Sequence, residues 1–254
     1  MILDRFKLDG KVAMVTGAGT GMGQAIAFAL AEAGADIAGV YRTHIAETRA
    51  GVEARGRAFL PKQIDLAEAT PDDLRLLVED VVQLMGGLDI LVNCAGVIDR
   101  IPVLDFPEEV WDRTLQVNLK AVFFLTQAAA QHFVRQGRGK VINIGSVLSH
   151  QGGILVPAYA ASKSAVMVLT QSFANELAAK GVNVNCILPG FMATEFTRPL
   201  QENPERFQAI LDRIPARRWG LAEDVQGAAV FLASSASDFV HGAAIAVDGG
   251  WLGR

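Results

Sequence analysis

Tyr159 and Lys163 lie four residues apart, and Ser146 precedes the tyrosine by thirteen. A spacing of four puts two side chains on one face of a helix. A free tyrosine has a pKa of about 10, too high for a proton carrier near neutral pH. An ammonium one turn away stabilises the phenolate and is expected to lower that value. Ser146 follows the β-branched run Lys140 to Ile144, where its hydroxyl can hydrogen-bond an oxygen on which charge develops. The trio suits proton transfer to or from a substrate oxygen. Each residue alone has an ordinary explanation, an amphipathic helix face or a turn serine; their joint placement does not.

A second cluster is the turn Thr16-Gly17-Ala18-Gly19-Thr20-Gly21-Met22-Gly23. Glycines let a backbone turn sharply and approach a pyrophosphate, while a helix N-terminus offers free N–H groups and the positive end of its dipole. A glycine-rich turn alone is weak evidence, but here it joins a strand-like run, Val12 to Val15, to a helix over Met22 to Ala33 that stops at Gly34.

The elements around these clusters alternate, as βαβ units do. Strands are expected over Ile37 to Tyr41, from Arg57 to Pro61 and ending near Asp65, and over Asp89 to Asn93, Lys140 to Ile144, Val182 to Leu188 and Ala243 to Val247. Helices are expected over Pro71 to Met85, Pro107 to Gln136 as one long region, Tyr159 to Ala179 and Ala222 to Ser234. The fold class that follows is α/β: a Rossmann-type, doubly wound, seven-stranded parallel sheet flanked by helices. Residues 1–254 read as one domain, with 190–216 as an excursion over the site, a substrate lid marked by Pro199, Pro204 and Pro215.

Composition excludes several classes. With 23 Lys+Arg against 27 Asp+Glu, the net charge of −4 offers no basic excess for a phosphate backbone, so no nucleic-acid partner is expected. Hydrophobic residues make up 51%, enough for a large core. Residues 141–162 carry no Asp, Glu, Lys or Arg, yet Asn143, Ser146, His150, Gln151 and Pro157 interrupt them, which suits a buried strand entering an uncharged cleft and not a membrane span. The start, Met1-Ile2-Leu3-Asp4-Arg5-Phe6-Lys7, carries charges where a secretory leader would be apolar, so no signal peptide is expected. Two cysteines, Cys94 and Cys186, fit a reducing compartment, so a cytoplasmic location is expected. No second His or Cys lies at ligand spacing from His150, and no metal site is expected.

The turn has the spacing T-G-x-x-x-G-x-G through Gly17, Gly21 and Gly23, which resembles the short-chain dehydrogenase/reductase family. Asn93-Cys94-Ala95-Gly96 resembles that family's N-N-A-G, with Cys94 in place of the second Asn. Asn118, the set Ser146, Tyr159 and Lys163, and Pro189-Gly190 with Thr194 match further family marks. The resemblance implies hydride transfer between a nicotinamide dinucleotide and a secondary alcohol or ketone. Ser146, Tyr159, Lys163 and Asn118 would be catalytic, Asn118 holding a water that links Lys163 to solvent. It implies cofactor contacts at Gly17, Gly19, Thr20, Gly21, Met22, Gly23, Tyr41, Arg42, Asp65, Leu66, Asn93, Ala95, Gly96, Tyr159, Lys163, Pro189, Gly190, Met192 and Thr194.

The end of the second strand reads Val40-Tyr41-Arg42-Thr43, with no carboxylate for the ribose hydroxyls. Arg42 suits a 2′-phosphate, so NADP is favoured over NAD, although Thr20 stands where many NADP-preferring relatives carry a second basic residue. Ser149-His150-Gln151-Gly152-Gly153, the run Arg213 to Gly220 and the two chain ends resemble a sugar-acid subgroup, the 2-dehydro-3-deoxy-gluconate 5-dehydrogenases, also described as 2-deoxy-gluconate 3-dehydrogenases. That resemblance implies 2-deoxy-gluconate or 2-dehydro-3-deoxy-gluconate as substrate. Such an anion with several hydroxyls calls for a cation and polar groups. Arg100, just past the Asn93–Gly96 turn, is the candidate at the carboxylate, and Ser146, His150 and Gln151, at or beside the end of the strand, are the candidates at oxygens. Family members typically assemble as tetramers, so a homotetramer through the long apolar helices is expected, against the simpler reading that both helices are buried within one chain. Two competing readings stand beside the sugar-acid dehydrogenase: a 3-oxoacyl-thioester reductase of the same family and a catalytically silent dinucleotide-binding protein.

Overall fold

In the computed structural model, which describes residues 1–254, Val12–Thr16 (β1) is buried along its whole length. Such burial suits a strand covered on both faces. Asp36–Tyr41 (β2), Phe59–Gln63 (β3), Ile90–Asn93 (β4), Gly139–Ile144 (β5), Val182–Pro189 (β6) and Ala244–Val247 (β7) complete the sheet. The spatial order is β3-β2-β1-β4-β5-β6-β7, and every pairing is parallel. The order reverses between β1 and β4, which opens a crevice at their carboxyl ends.

The connecting helices are Gly21–Glu32 (α1), Ala46–Glu53 (α2), Pro71–Met85 (α3), Glu108–Leu115 (α4), Ala121–Gln136 (α5), Pro157–Leu177 (α6), Arg198–Gln201 (α7), Pro204–Arg213 (α8) and Gln226–Ala233 (α9). One sheet face buries a core with α3, α5 and α6, through residues such as Met14, Leu74, Leu91, Leu125, Phe133 and Val184. The other packs on α1 and α9, through Val15, Ile26, Leu30, Ile142, Ile187 and Leu232. A third, smaller cluster of Val147, Ile210, Ile214, Trp219 and Trp251 lies beneath the excursion. No helix is long and apolar enough to cross a membrane.

The helix ends follow local chemistry. Thr70 and Asp73 form a reciprocal cap on α3, whose first residue is Pro71 and whose C-terminus meets Gly86 at φ 77°. Gly34, at φ 113°, follows α1 as expected for a residue past a helix end. Three details differ from the sequence reading. The region Pro107 to Gln136 is not one α-helix: a π turn, Gln116–Lys120, separates α4 from α5 and contains Asn118. The helix holding Tyr159 starts two residues earlier, on Pro157, a residue preorganised for a first turn. Helix α2 was not foreseen, because Gly51 interrupts a short segment; a Cβ there would lie 2.3 Å from the Phe28 ring, so glycine lets α2 pack on α1.

Candidate active site

Thr16, the last residue of β1, ties the two turns at the crevice together. Its Oγ1 accepts from the backbone N–H groups of Cys94 and Ala95, both at 3.0 Å. Gly17 then lies so close to the β4 turn that a Cβ would sit 2.9 Å from Ala95 Cα, and its φ of +67° independently favours glycine. Gly19 and Gly23 are packing glycines, since a Cβ would meet His44 O and Gly17 O, each at 2.2 Å. Gly21 differs: at φ +56° its missing Cβ would meet only Thr194, at 3.7 Å, and it opens α1 on the crevice. The first turn of α1 contains no acidic residue, so its N–H groups suit an anion.

The crevice is a cavity of about 1280 Å³. Gly17, Thr20, Gly21, Met22, Gly23, Ala95, Gly96, Tyr159, Lys163, Pro189, Gly190, Met192 and Thr194 all line it. Tyr41, Arg42, Asp65 and Leu66 do not; they continue the same edge along β2 and β3, where Tyr41 pairs in register with Gln63 and Gln63 Nε2 donates to Arg42 O (2.9 Å). Arg42 is exposed and forms no ion pair. Asp65 is exposed, its carboxylate accepting from Ala67 N (2.9 Å). These features fit a dinucleotide lying along the edge from α1 to β3.

Asn93 is a correction. Its side chain is buried and donates to Thr126 Oγ1 (3.0 Å) and Asn143 Oδ1 (2.9 Å) within the sheet, and it does not line the cavity. Asn143 in turn donates to Thr170 Oγ1 (2.9 Å), so this polar ladder binds β4, β5, α5 and α6 together. The turn after Asn93, through Ala95 and Gly96, does line the cavity.

Ser146, Tyr159 and Lys163 meet in the cavity as the spacing predicts. Ser146 caps the turn Val147–Ser149, accepting from Leu148 N (3.1 Å), and it lowers the pKa of the neighbouring Tyr159 phenol. Ser149 Oγ donates to Lys163 O (2.7 Å), pinning α6 to the strand end. Lys163 Nζ donates to Ile144 O (2.7 Å) and lies 5.7 Å from the centre of the Tyr159 ring. The ring of Phe196, from the excursion, covers Tyr159 at 5.8 Å.

The electrostatics depart from expectation. Burial pushes the Tyr159 phenol up to about 12, outweighing the lowering by Ser146 and by the Arg100 charge. Burial likewise lowers the Lys163 ammonium, and the cysteines Cys94 and Cys186 oppose it only in part. Lys163 donates to the Ile144 carbonyl, and burial outweighs the groups that lower the Tyr159 phenol. Cys94 lines the cavity, and burial raises its thiol to about 11, which keeps it protonated and non-nucleophilic.

Asn118 is fully buried. Its Oδ1 accepts from Val97 N (2.8 Å), and its Nδ2 donates to Val97 O (2.9 Å) and Ser162 Oγ (3.2 Å). The amide is thus committed to the loop after β4. Gly96, beside it, would place a Cβ 3.8 Å from Lys163 Nζ.

Among the expected substrate contacts, Arg100 lines the cavity, donates to Phe196 O (3.3 Å) and pairs with no carboxylate, since Asp99 is taken by Arg113 (2.6 Å). Gln151 also lines the cavity. His150 does not: it is exposed, ending the turn Val147–Ser149 on the solvent side. Sequence reasoning missed Phe196, Arg206, Arg213 and Trp251, which line the cavity from the excursion and the chain end. Arg218 and Trp219 are structural: Arg218 grips both Asp224 oxygens (2.6 and 2.8 Å), and Trp219 stacks on Phe207 at 5.4 Å. No three His, Cys, Asp or Glu residues come together as metal ligands.

Comparison with known proteins agrees with this geometry. A family model described as enoyl-(acyl carrier protein) reductase matches residues 17–252. A 2-dehydro-3-deoxy-D-gluconate 5-dehydrogenase from Dickeya dadantii (strain 3937) is 53% identical over 255 residues, covering 100% of both chains. An NADP-bound crystal structure from Agrobacterium tumefaciens superposes with a TM-score of 0.93 at 49% identity, covering 98% of this chain and 99% of that one. A gluconate 5-dehydrogenase from Burkholderia cenocepacia, in complex with NADP and tartrate, gives a TM-score of 0.94 at 39% identity, with 100% of each chain covered. The chain belongs to the short-chain dehydrogenase/reductase family.

Proposed function

We propose that this chain is an NADP-preferring oxidoreductase that interconverts a secondary alcohol and a ketone on a six-carbon sugar acid, 2-dehydro-3-deoxy-gluconate or 2-deoxy-gluconate. The observation that carries the reading is Arg100, a cation with no carboxylate partner, in the same cavity as Tyr159 and Ser146. Arg206 and Arg213 add positive charge, against Glu195 and Glu223, so the cavity suits an anionic substrate. The curated relative at 53% identity carries the matching activity in its name.

A bound nicotinamide dinucleotide would supply or accept the hydride. Gly17, Thr20, Gly21, Met22 and Gly23 would hold its pyrophosphate at the α1 N-terminus, with Ala95, Gly96, Pro189, Gly190, Met192 and Thr194 along its length. Tyr41, Arg42, Asp65 and Leu66 would frame the adenosine end, Arg42 meeting the 2′-phosphate. The NADP-bound relatives support nicotinamide dinucleotide binding, and the unpaired Arg42 supports the preference for NADP.

Ser146 orients the reacting oxygen and Tyr159 carries the proton. The raised phenol is the acid form, the form that reduction of a ketone requires. Lys163, one helical turn on from Tyr159, takes part in the proton path. A water at Asn118 would bond to the backbone of the π turn, because its amide is already committed. Residues 1–254 act as one domain, with 190–216 as the lid: Phe196 over Tyr159 supports that role. An apolar groove formed by Leu119 on the π turn, Phe123 and Phe124 on α5, and Val168 and Leu169 on α6 supports assembly as a homotetramer. The free cysteines agree with a reducing cytoplasm.

Initial rates with the two sugar acids, their ketones and a 3-oxoacyl thioester, each with NADP(H) and NAD(H), test the reading. Turnover of the thioester alone would transfer the same machinery to a 3-oxoacyl-thioester reductase of the same family. Cofactor binding with no turnover would favour a silent dinucleotide-binding protein.

A further inference from the structure

Three distant segments converge on one oxygen atom. Gln151, from the loop after Ser146, accepts at Oε1 from Trp251 Nε1 (2.9 Å) and from Arg213 Nη2 (3.1 Å). Trp251 belongs to the C-terminal turn and is buried. Arg213 is the last residue of α8, in the excursion. Indole and guanidinium nitrogens only donate. A flipped Gln151 amide would aim its NH2 at two donors, so the orientation is decided by the partners. The two N–H bonds on Nε2 then have no partner within the protein, on a residue that lines the cavity.

The support behind this contact is rigid. The Trp251 ring packs on Phe191 at 4.6 Å, and the Arg213 guanidinium stacks over it at 3.9 Å. Asp248 fixes the terminal turn, accepting from Gly250 N and Leu252 N, both at 2.8 Å. Ala216 N donates to Gly249 O (3.0 Å), and Arg254 Nη1 to Asp212 O (3.0 Å), joining the chain end to the excursion.

We infer that Gln151 is a specificity-determining hydrogen-bond donor to an oxygen of the substrate away from the reacting carbon, and that Trp251 and Arg213 are positioning residues that fix its amide. This rests on the proposed sugar-acid reading, since a polyhydroxy acid supplies such oxygens and a simple ketone does not. The site thereby discriminates in one direction: it rewards an acceptor oxygen and leaves a deoxy analogue unmatched.

The test uses the full chain and compares wild type with Gln151→Met, Gln151→Glu and Trp251→Phe. Gln151→Glu keeps an acceptor for Trp251 and Arg213 but cannot donate as a carboxylate; Gln151→Met loses both roles. KM and kcat are measured for the sugar acid, for a simple secondary ketone and for NADPH, with thermal midpoints alongside. Gln151→Met and Gln151→Glu should each raise KM for the sugar acid about tenfold, with kcat, NADPH KM and ketone turnover little changed. Gln151→Glu should keep the wild-type midpoint. Trp251→Phe, which keeps the ring stacking, should raise the same KM several-fold and add nothing on the Gln151→Met background.

A wild-type KM in Gln151→Glu would reduce Gln151 to a structural pin and overturn the donor role. Additive effects of Trp251→Phe and Gln151→Met would overturn the positioning role. If the wild type turned over no sugar acid at all, the functional reading itself would fail and the donor assignment with it, an outcome distinct from an active wild type with silent Gln151 variants.

Discussion

Replacing Tyr159 with Phe removes one hydroxyl and little else. The ring would keep its contact with Phe196 at 5.8 Å and its place beside Lys163, so the cavity wall should stand. A positioned acid or base contributes about 10²- to 10⁴-fold, which is about 2.7–5.5 kcal/mol of barrier. Tyr159→Phe should therefore lose at least about 100-fold in kcat while binding NADPH normally. Steady-state rates and NADPH fluorescence titration read the two quantities separately. Stability provides a further check with a defined sign. The folded phenol sits at about 12 against the usual 10.0, so wild-type Tyr159 contributes stability that is complete below pH 10 and lost as pH rises toward 12. The variant should lose less stability than wild type across that alkaline window. Near-normal turnover in Tyr159→Phe, or loss of NADPH binding in step with activity, would refute the assignment.

Other expected outcomes follow from single features of the structure. Arg42→Ala should raise KM for NADPH by roughly tenfold or more, the usual worth of a charge-assisted contact, and leave NADH nearly unchanged; equal change in both would remove Arg42 from the 2′-phosphate. Gly17→Ala should lower the thermal midpoint, because φ +67° strains an L-residue by about 1–2 kcal/mol and the new Cβ would sit 2.9 Å from Ala95 Cα; an unchanged midpoint would show that the two turns can separate. Arg218 and the backbone N–H of Leu221 hold the Asp224 carboxyl down to about 2, so its contribution is complete above pH 3.8 and lost as pH falls toward 2. Asp224→Asn should flatten that acid limb in a denaturation series, and an unaltered limb would show that the pair does not steady the excursion.

The parts of the fold legible in sequence were those governed by local chemistry. Pro71 and Gly86 bracket α3, and Gly34 ends α1, because capping and φ preferences act within a few residues. The inner strands stood out because a sheet covered on both faces requires largely apolar runs, whereas the edge strands β3 and β7 are only partly buried. The meeting of Ser146, Tyr159 and Lys163 in one cavity was legible because Tyr159 and Lys163 share a helix face and Ser146 follows a strand. Features fixed by distant contacts were not legible. The π turn at Asn118 follows from the bonds of its amide to Val97 and Ser162, partners 21 and 44 residues away. Asn93 and His150 were misplaced because a residue number says nothing about which way a side chain faces: one enters the buried ladder, the other lies in solvent. The expected lowering of the Tyr159 phenol left out burial, the largest influence on it. Trp251 and Arg213 reach the cavity only after the last turn folds back on the excursion, a closure that no local pattern records.

A single competition experiment tests the central claim most directly. Wild-type protein is given NADPH with equal concentrations of a sugar-acid ketone and a 3-oxoacyl thioester, and consumption of each is followed by NMR. The ratio of disappearance gives the ratio of kcat/KM. A cavity built around Arg100, Tyr159 and Ser146 predicts that the sugar acid is consumed first, by a factor of about 100 or more. Preferential consumption of the thioester would contradict the substrate reading while leaving the hydride chemistry in place.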